Sequence, residues 1–284
     1  MTRYLVTGAA GMLGQDLQLA LAGRDVTALS RADLDVTDQS AVSAAVAGHD
    51  VVINAAAYTK VDDAESHEEA ATAVNARGAE TLATAAAASG ARLVQVSTDY
   101  VFDGTGTAPY AEDGPTRPLG VYGRTKAAGE DAVRAILPDA SYIVRTAWLY
   151  GAHGPNFAKT MVRLAGSHDT VSVVTDQVGQ PTWTGDLARQ VVAMLDADAP
   201  AGTYHGTNAG QASWFDFTRA IFSAVGLDPE RVLPTDSSAF VRPAPRPAYS
   251  VLGHDGWAAA GIPPMRDWRQ ALDAAVAAGV LDQP

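Results

Sequence analysis

Tyr122 and Lys126 stand four positions apart in Tyr122-Gly123-Arg124-Thr125-Lys126, and a hydroxyl and a carboxylate, Thr98 and Asp99, follow the apolar run Leu93-Val94-Gln95-Val96-Ser97. On a helix, residues at i and i+4 share a face, so the Lys126 ammonium is expected under the Tyr122 phenol. A free phenol has a pKa of ~10, too high for ready proton exchange at neutral pH. A nearby ammonium and a positively charged oxidised nicotinamide both favour phenolate and lower that value. Thr98, delivered by a strand end, can hydrogen-bond a substrate oxygen and orient it. The chemistry open to this set is carbonyl reduction: hydride from a reduced nicotinamide goes to carbon, and Tyr122 protonates oxygen. A Tyr-x-x-x-Lys alone arises by chance in many helices. It gains meaning only from a cofactor turn upstream and from the strand-end threonine.

That turn is present. Arg3-Tyr4-Leu5-Val6-Thr7 reads as a strand, and Leu13, Leu17, Ala20 and Leu21 recur at helical spacing. Between them lie Gly8, Gly11 and Gly14, with Met12 and Leu13 at the helix start. Gly8 permits the tight turn, Gly11 lets a pyrophosphate approach the backbone, and Gly14 lets helix and strand pack closely. After the second strand, Asp25–Leu29, the usual ribose-binding acid is replaced by Ser30-Arg31. A hydroxyl with a guanidinium suits a 2′-phosphate, which favours NADPH and leaves NADH open. The run Asp50–Ala57 reads as a buried strand ending in small residues, so Ala57, Tyr58 and Thr59 are expected to line the cofactor. Asp62, Asp63 and Glu65 read as a solvated acidic helix start rather than a metal site. Thr37 or Asp38 can cap the Ala41–Ala47 segment. Asn75 reads as a satisfied polar core residue within the helix Glu68–Ser89.

Alternating strands and helices to about residue 150 define the α/β class, with a Rossmann-type doubly wound parallel sheet. The expected organisation is a dinucleotide-binding domain over 1–150, completed by about 183–207. A smaller α+β substrate domain would come from 151–182 and 208–284. In it, helices are expected at 156–165, 214–225 and 266–278, and a strand at 170–174. Gly185–Ala197 should be helical and Gly202–His205 a strand.

The chain has 284 residues, a formal net charge of −12 and no cysteine. Thiolate chemistry is excluded, and an acidic chain is a poor nucleic-acid partner. No run of ~18 apolar residues suggests a membrane span. The first strand at Arg3 leaves no room for a signal peptide, so a cytoplasmic location is expected. His153, His168, His205 and His254 lack the spacing of metal ligands.

Several stretches resemble one family. The spacing Gly8-x-x-Gly11-x-x-Gly14 is that of the extended short-chain dehydrogenases. Asn54-Ala55-Ala56-Ala57-Tyr58-Thr59, Ser97–Gly104, Tyr122–Lys126, Arg145-Thr146-Ala147-Trp148, Asn156-Phe157, Asp176–Thr182 and Arg246-Pro247 with Ser250 and Leu252 are similar to the dTDP-4-dehydrorhamnose reductases within that group. The resemblance runs nearly end to end. It implies reduction of the 4-keto group of dTDP-6-deoxy-L-lyxo-4-hexulose to dTDP-L-rhamnose. It implies cofactor or sugar contacts at Thr98, Asp99, Tyr122, Lys126 and Trp148, and an adenine contact at Asp35 and Val36. It adds Asn156, Gln177, Pro181 and Arg246 as pocket candidates, the arginine suiting a diphosphate. Asp99 can also be read as a buried structural acceptor and Trp148 as core. Some family members are metal-dependent dimers; a homodimer is carried over, but a metal is not, since no acids that would hold one are identifiable. Two rivals stand beside this reading. A nucleotide-sugar epimerase or dehydratase shares the fold, but a dehydratase would place a glutamate where Tyr100 follows Asp99. A non-catalytic subunit resembling the regulatory subunit of methionine adenosyltransferase is the other.

Overall fold

The structure is a computed structural model and describes residues 1–282. The first half alternates as β1 (Arg3–Thr7), α1 (Met12–Ala20), β2 (Asp25–Leu29), α2 (Gln39–Val46), β3 (Val51–Asn54), α3 (Val61–Ala64), α4 (Glu68–Thr72), α5 (Gly78–Ser89), β4 (Arg92–Thr98), α6 (Val121–Ile136) and β5 (Ser141–Thr146). A wider π-type turn, Ala73–Arg77, joins α4 to α5. Asp38 caps α2 by accepting from Ser40 and Ala41 N–H groups. Ala55–Ala57 leave the sheet, so β3 is shorter than its apolar run suggests.

The second half contributes β6 (Leu149–Tyr150), α7 (Phe157–Ala165), β7 (Val171–Val174), β8 (Val178–Gly179), β9 (Thr182–Trp183), α8 (Thr184–Asp196), β10 (Gly202–His205), β11 (Ala212–Ser213), α9 (Trp214–Ala224), β12 (Val232–Thr235), α10 (Asp255–Ala259) and α11 (Trp268–Ala277). The strands β6, β8, β9, β11 and β12 and the helix α10 carry no clear sequence pattern. Most are two residues long, too short for periodicity to register.

Six strands form one parallel sheet in the order β10-β5-β4-β3-β1-β2. The chain runs one way from β1 to β2 and the other way through β3. The crevice between β1 and β3 is therefore the switch point where such sheets bind ligands. One apolar layer, with Leu13, Leu17, Val6, Ile53, Leu187 and Trp257, packs α1 and α8 on one face. The other, with Leu5, Val52, Leu82, Leu93 and Val133, packs α2, α5 and α6 on the opposite face. The inner strands β1, β3, β4 and β5 are buried on both sides, which is why their apolar residues run together rather than alternating. The remaining segments gather around Phe217, Trp268, Leu272 and Tyr150. No helix among the described residues is long and apolar enough to cross a membrane.

Candidate active site

Gly8 has φ +68°, and a Cβ there would lie 2.6 Å from the Ala55 carbonyl carbon and the Ala56 nitrogen. A Cβ on Gly14 would lie 2.3 Å from the Gly8 oxygen. Both positions therefore require glycine. Gly11 is the N-cap of α1, with no side chain capping the helix and no acid in its first turn. Free first-turn N–H groups and the positive end of the helix dipole fit a pyrophosphate. Leu13 points into the core, while Met12 is half-buried and lies beside Gly151.

At the end of β2 one expectation is corrected. The Ser30 hydroxyl and N–H both donate to Asp33, at 2.6 and 2.9 Å. The hydroxyl is thus already engaged by an acid, and only Arg31 is free for a phosphate. It is exposed and makes no ion pair among the described residues. Asp35 accepts from the Thr37 N–H and hydroxyl, which hold its carboxyl below the usual range. The Val36 side chain is buried against Gly78, so it packs the core rather than a pocket.

Ala57, Tyr58 and Thr59 follow β3 at the crevice, and Asn75 fixes them there. Its Oδ1 accepts from Tyr58 N–H at 2.8 Å, and its Nδ2 donates to Tyr58 O and Thr125 Oγ1, both at 3.1 Å. The acids that follow are not a solvated cluster. The Tyr58 hydroxyl donates to Asp63. Asp62 accepts from Arg246 at 2.9 Å, and Glu65 Oε1 accepts the Val121 N–H at 2.8 Å, capping α6. Asp62 and Glu65 are thus partly drawn out of solvent by donors distant in sequence, while the Asp63 partner is only five residues away. No cluster of three metal-ligating side chains exists among the described residues.

The floor of the crevice is the end of β4 and the first turns of α6. Thr98 Oγ1 donates to Asp99 Oδ1 at 3.0 Å and accepts from Tyr100 N–H at 3.2 Å. Asp99 is 2% exposed and its Oδ2 makes no hydrogen bond. Burial pushes its carboxyl up to about 6, with the Ser250 and Thr98 hydroxyls pulling the other way. The Tyr122 phenol is pushed up to about 12 by burial, against the pull of the Thr98 hydroxyl. Lys126 Nζ donates to Val96 O at 2.6 Å, and burial lowers it to about 8, with Glu130 opposing. The expected lowering of the phenol by the ammonium is therefore corrected. Lys126 directs an N–H to a strand carbonyl, and desolvation of the phenolate dominates the Tyr122 shift.

Beneath the floor lies a buried network that sequence reading missed. Glu130 accepts from Ser97 Oγ at 2.5 Å, from Arg145 Nη2 at 2.8 Å and from Arg134 Nη2 at 2.5 Å. Arg145 also donates to Glu112 O at 3.1 Å and sits over the Phe102 ring. The network ties α6, which carries Tyr122 and Lys126, to β4, which carries Thr98, and to β5. Its signal was the repeat of i+4 spacing, Tyr122, Lys126, Glu130, on one helix face.

Trp148 follows β5 in a left-handed conformation, φ +48°, with its ring stacked on Trp214. Of the other pocket candidates, Pro181 is buried. Asn156 caps α7, accepting from Lys159 N–H and donating to Gly151 O, both at 3.0 Å. Gln177 donates to Ser237 Oγ at 2.9 Å, and Arg246 holds Asp62. The polar groups of these three are thus engaged within the protein. Ser250, given above only for its resemblance, and Trp214, which was not singled out, stand at Asp99 and Trp148 instead.

The chain is 56% identical to "dTDP-4-dehydrorhamnose reductase" of Streptomyces griseus, over 95% of this chain and 91% of that protein. It is 52% identical to "dTDP-4-keto-6-deoxy-D-glucose reductase" of Streptomyces niveus, over 95% of each. A crystal structure of dTDP-4-dehydrorhamnose reductase from Bacillus anthracis in complex with NADP superposes with a TM-score of 0.94, at 38% identity, covering 98% of this chain and 100% of that one. The model of the family described as RmlD substrate binding domain matches residues 2–280, and the chain belongs to that family.

Proposed function

We propose that this chain is an NADPH-dependent reductase of dTDP-linked 4-keto-6-deoxy sugars, turning dTDP-4-dehydrorhamnose into dTDP-L-rhamnose with Tyr122 as proton donor. The observation that carries the reading is the Tyr122 phenol set beside the Thr98 hydroxyl, at the sheet's switch point and next to an uncapped glycine-turn helix. The Gly8–Gly14 turn would hold the cofactor pyrophosphate, Arg31 its 2′-phosphate, and Ala57, Tyr58 and Thr59 its inner edge. A bound reduced nicotinamide supplies the hydride that the sugar carbonyl carbon accepts. The Thr98 hydroxyl donates to the carbonyl oxygen and orients it. Tyr122 delivers its proton to that oxygen as charge develops there. Lys126, one helical turn along α6 with its ammonium on Val96 O, anchors to β4 the helix face that presents Tyr122. Asp99 and Trp148 face the sugar from the strand ends. NADP in the Bacillus anthracis relative supports the choice of cofactor. A relative named for the D-glucose-derived ketosugar favours a second reading, in which this chain reduces dTDP-4-keto-6-deoxy-D-glucose instead.

The test is a panel of dTDP-, UDP- and GDP-linked 4-keto-6-deoxy sugars with NADPH and NADH, with the product identified by NMR. NADPH should be oxidised only with a dTDP-linked ketosugar, giving dTDP-L-rhamnose. Tyr122→Phe should lower kcat by ~10²-fold or more while NADPH binding survives. Normal turnover in that variant sinks the proton-donor assignment.

A further inference from the structure

Trp148 holds a backbone conformation that a bulky side chain rarely adopts, φ +48°. Such strain persists only where the surroundings over-determine it. Two walls do so here. Its ring lies face to face on Trp214, centroids 3.5 Å apart and planes within 7°. The backbone of Gly179 forms a second wall, since a Cβ there would come within 2.6 Å of the Trp148 ring.

The two walls are built together. Gly179 on β8 pairs antiparallel with Ala212 on β11, two residues before Trp214. Ser213 then caps α9, accepting from Asp216 N–H at 3.0 Å, while Asp216 Oδ2 accepts from Ser213 N–H at 3.2 Å. This capping box fixes Trp214 at the first turn of the helix. Phe157 supports Trp214 from α7, with centroids 4.2 Å apart. Both stacked indoles remain half-exposed. The slot also sits beside the chemistry. Thr146 pairs with Thr98 across β4 and β5, and Trp148 lies two residues beyond it.

We propose that Trp214 is a specificity-determining positioning residue. By fixing the plane of the Trp148 ring, it selects which face of the ketosugar meets the hydride donor, and so the C4 configuration of the product. The proposal rests on the reductase reading above. Relatives of similar identity carry names of reductases for different 4-keto sugars. One fold thus accompanies names for differently configured ketosugars, so how the sugar is presented to the hydride donor is left to side chains around it.

Two stacked indoles give an exciton couplet in far-ultraviolet circular dichroism, a readout independent of turnover. The wild-type protein should show it, and Trp214→Ala should lose it. That variant should also raise KM for the dTDP-linked ketosugar ~10-fold and yield both C4 epimers, with NADPH affinity unchanged. Trp214→Phe, which restores a flat aromatic face, should recover most of the selectivity. If Trp214→Ala does not fold, Gly179→Ala displaces the ring from the other wall and is read the same way. A single epimer at unchanged KM, with the couplet gone, overturns the proposal alone. A wild-type protein inactive on every dTDP-linked ketosugar overturns the reductase reading and this proposal with it.

Discussion

At the β1–α1 turn the crevice is walled by backbone: Gly8, Gly11 and Gly14 offer no side chain, and α1 offers its uncapped N–H groups. Across the same crevice stand Thr98, Asp99, Tyr122 and Lys126, supported by a Glu130–Arg145 pair with almost no solvent contact. The two sides impose different requirements. The turn needs the absence of atoms at single positions, and glycine is the only residue that provides it. The floor needs charges and donors brought from α6, β4 and β5 into one desolvated place, where each charge must find a partner. Substitution should therefore act through space at the turn and through electrostatics at the floor.

The largest break is expected at Glu130. Glu130→Ala leaves the Arg145 guanidinium buried without its counter-charge, which costs roughly 3–5 kcal/mol. Thermal or urea unfolding reads the loss. A cost below ~1 kcal/mol would mean that Glu112 O and its other neighbours satisfy Arg145 unaided, and the floor would not be an electrostatic lock.

Asp99 comes next, with the opposite sign. Its folded carboxyl is raised to about 6 from an ordinary 3.8. A raised acid contributes stability that is present below the unfolded pKa and is lost as pH rises through the folded one. Asp99→Asn should therefore match the wild type near pH 4 and exceed its stability at pH 8, by up to about 3 kcal/mol, while activity falls. A melting-temperature difference that does not change across that range would show that the carboxylate is not desolvated.

Gly14→Ala probes the turn. With Gly8 O only 2.3 Å from the new Cβ, α1 must shift, at ~1–3 kcal/mol. NADPH affinity, measured by fluorescence titration, should fall ~10-fold or more. Unchanged affinity would show that the cofactor does not rest on this backbone. The smallest effect is expected at Arg31. Arg31→Ala should weaken NADPH ~10-fold and leave NADH unchanged, since only the 2′-phosphate reaches the guanidinium. Equal loss for both cofactors would remove that role.

Much of this site was legible in the sequence where the requirement is local. The glycine spacing, the strand-end Thr98 and the Tyr122–Lys126 pair all lie within single elements, and the structure brings them to one crevice. Ser30 was misread because the Asp33 three residues on, which takes its hydroxyl, was not weighed. Asp62 and Glu65 were misread because their partners, Arg246 and Val121, lie far along the chain. The direction of the Tyr122 shift was misread because i,i+4 spacing gives a shared face but not a bond; Lys126 reaches Val96 O instead.

The sequence alone determined the alternation of strand and helix, the glycine turn and the residue types of the proton-donating set, because each is written within a few consecutive positions. Only the tertiary structure decided that β10, already expected in the sheet domain, lies at its edge beside β5. It alone decided that Glu130 and Arg145 pair under Lys126, and that Gly179 and Trp214 confine Trp148. Those contacts join segments separated by 15 residues or more, and burial strengthens charge interactions that no local pattern encodes.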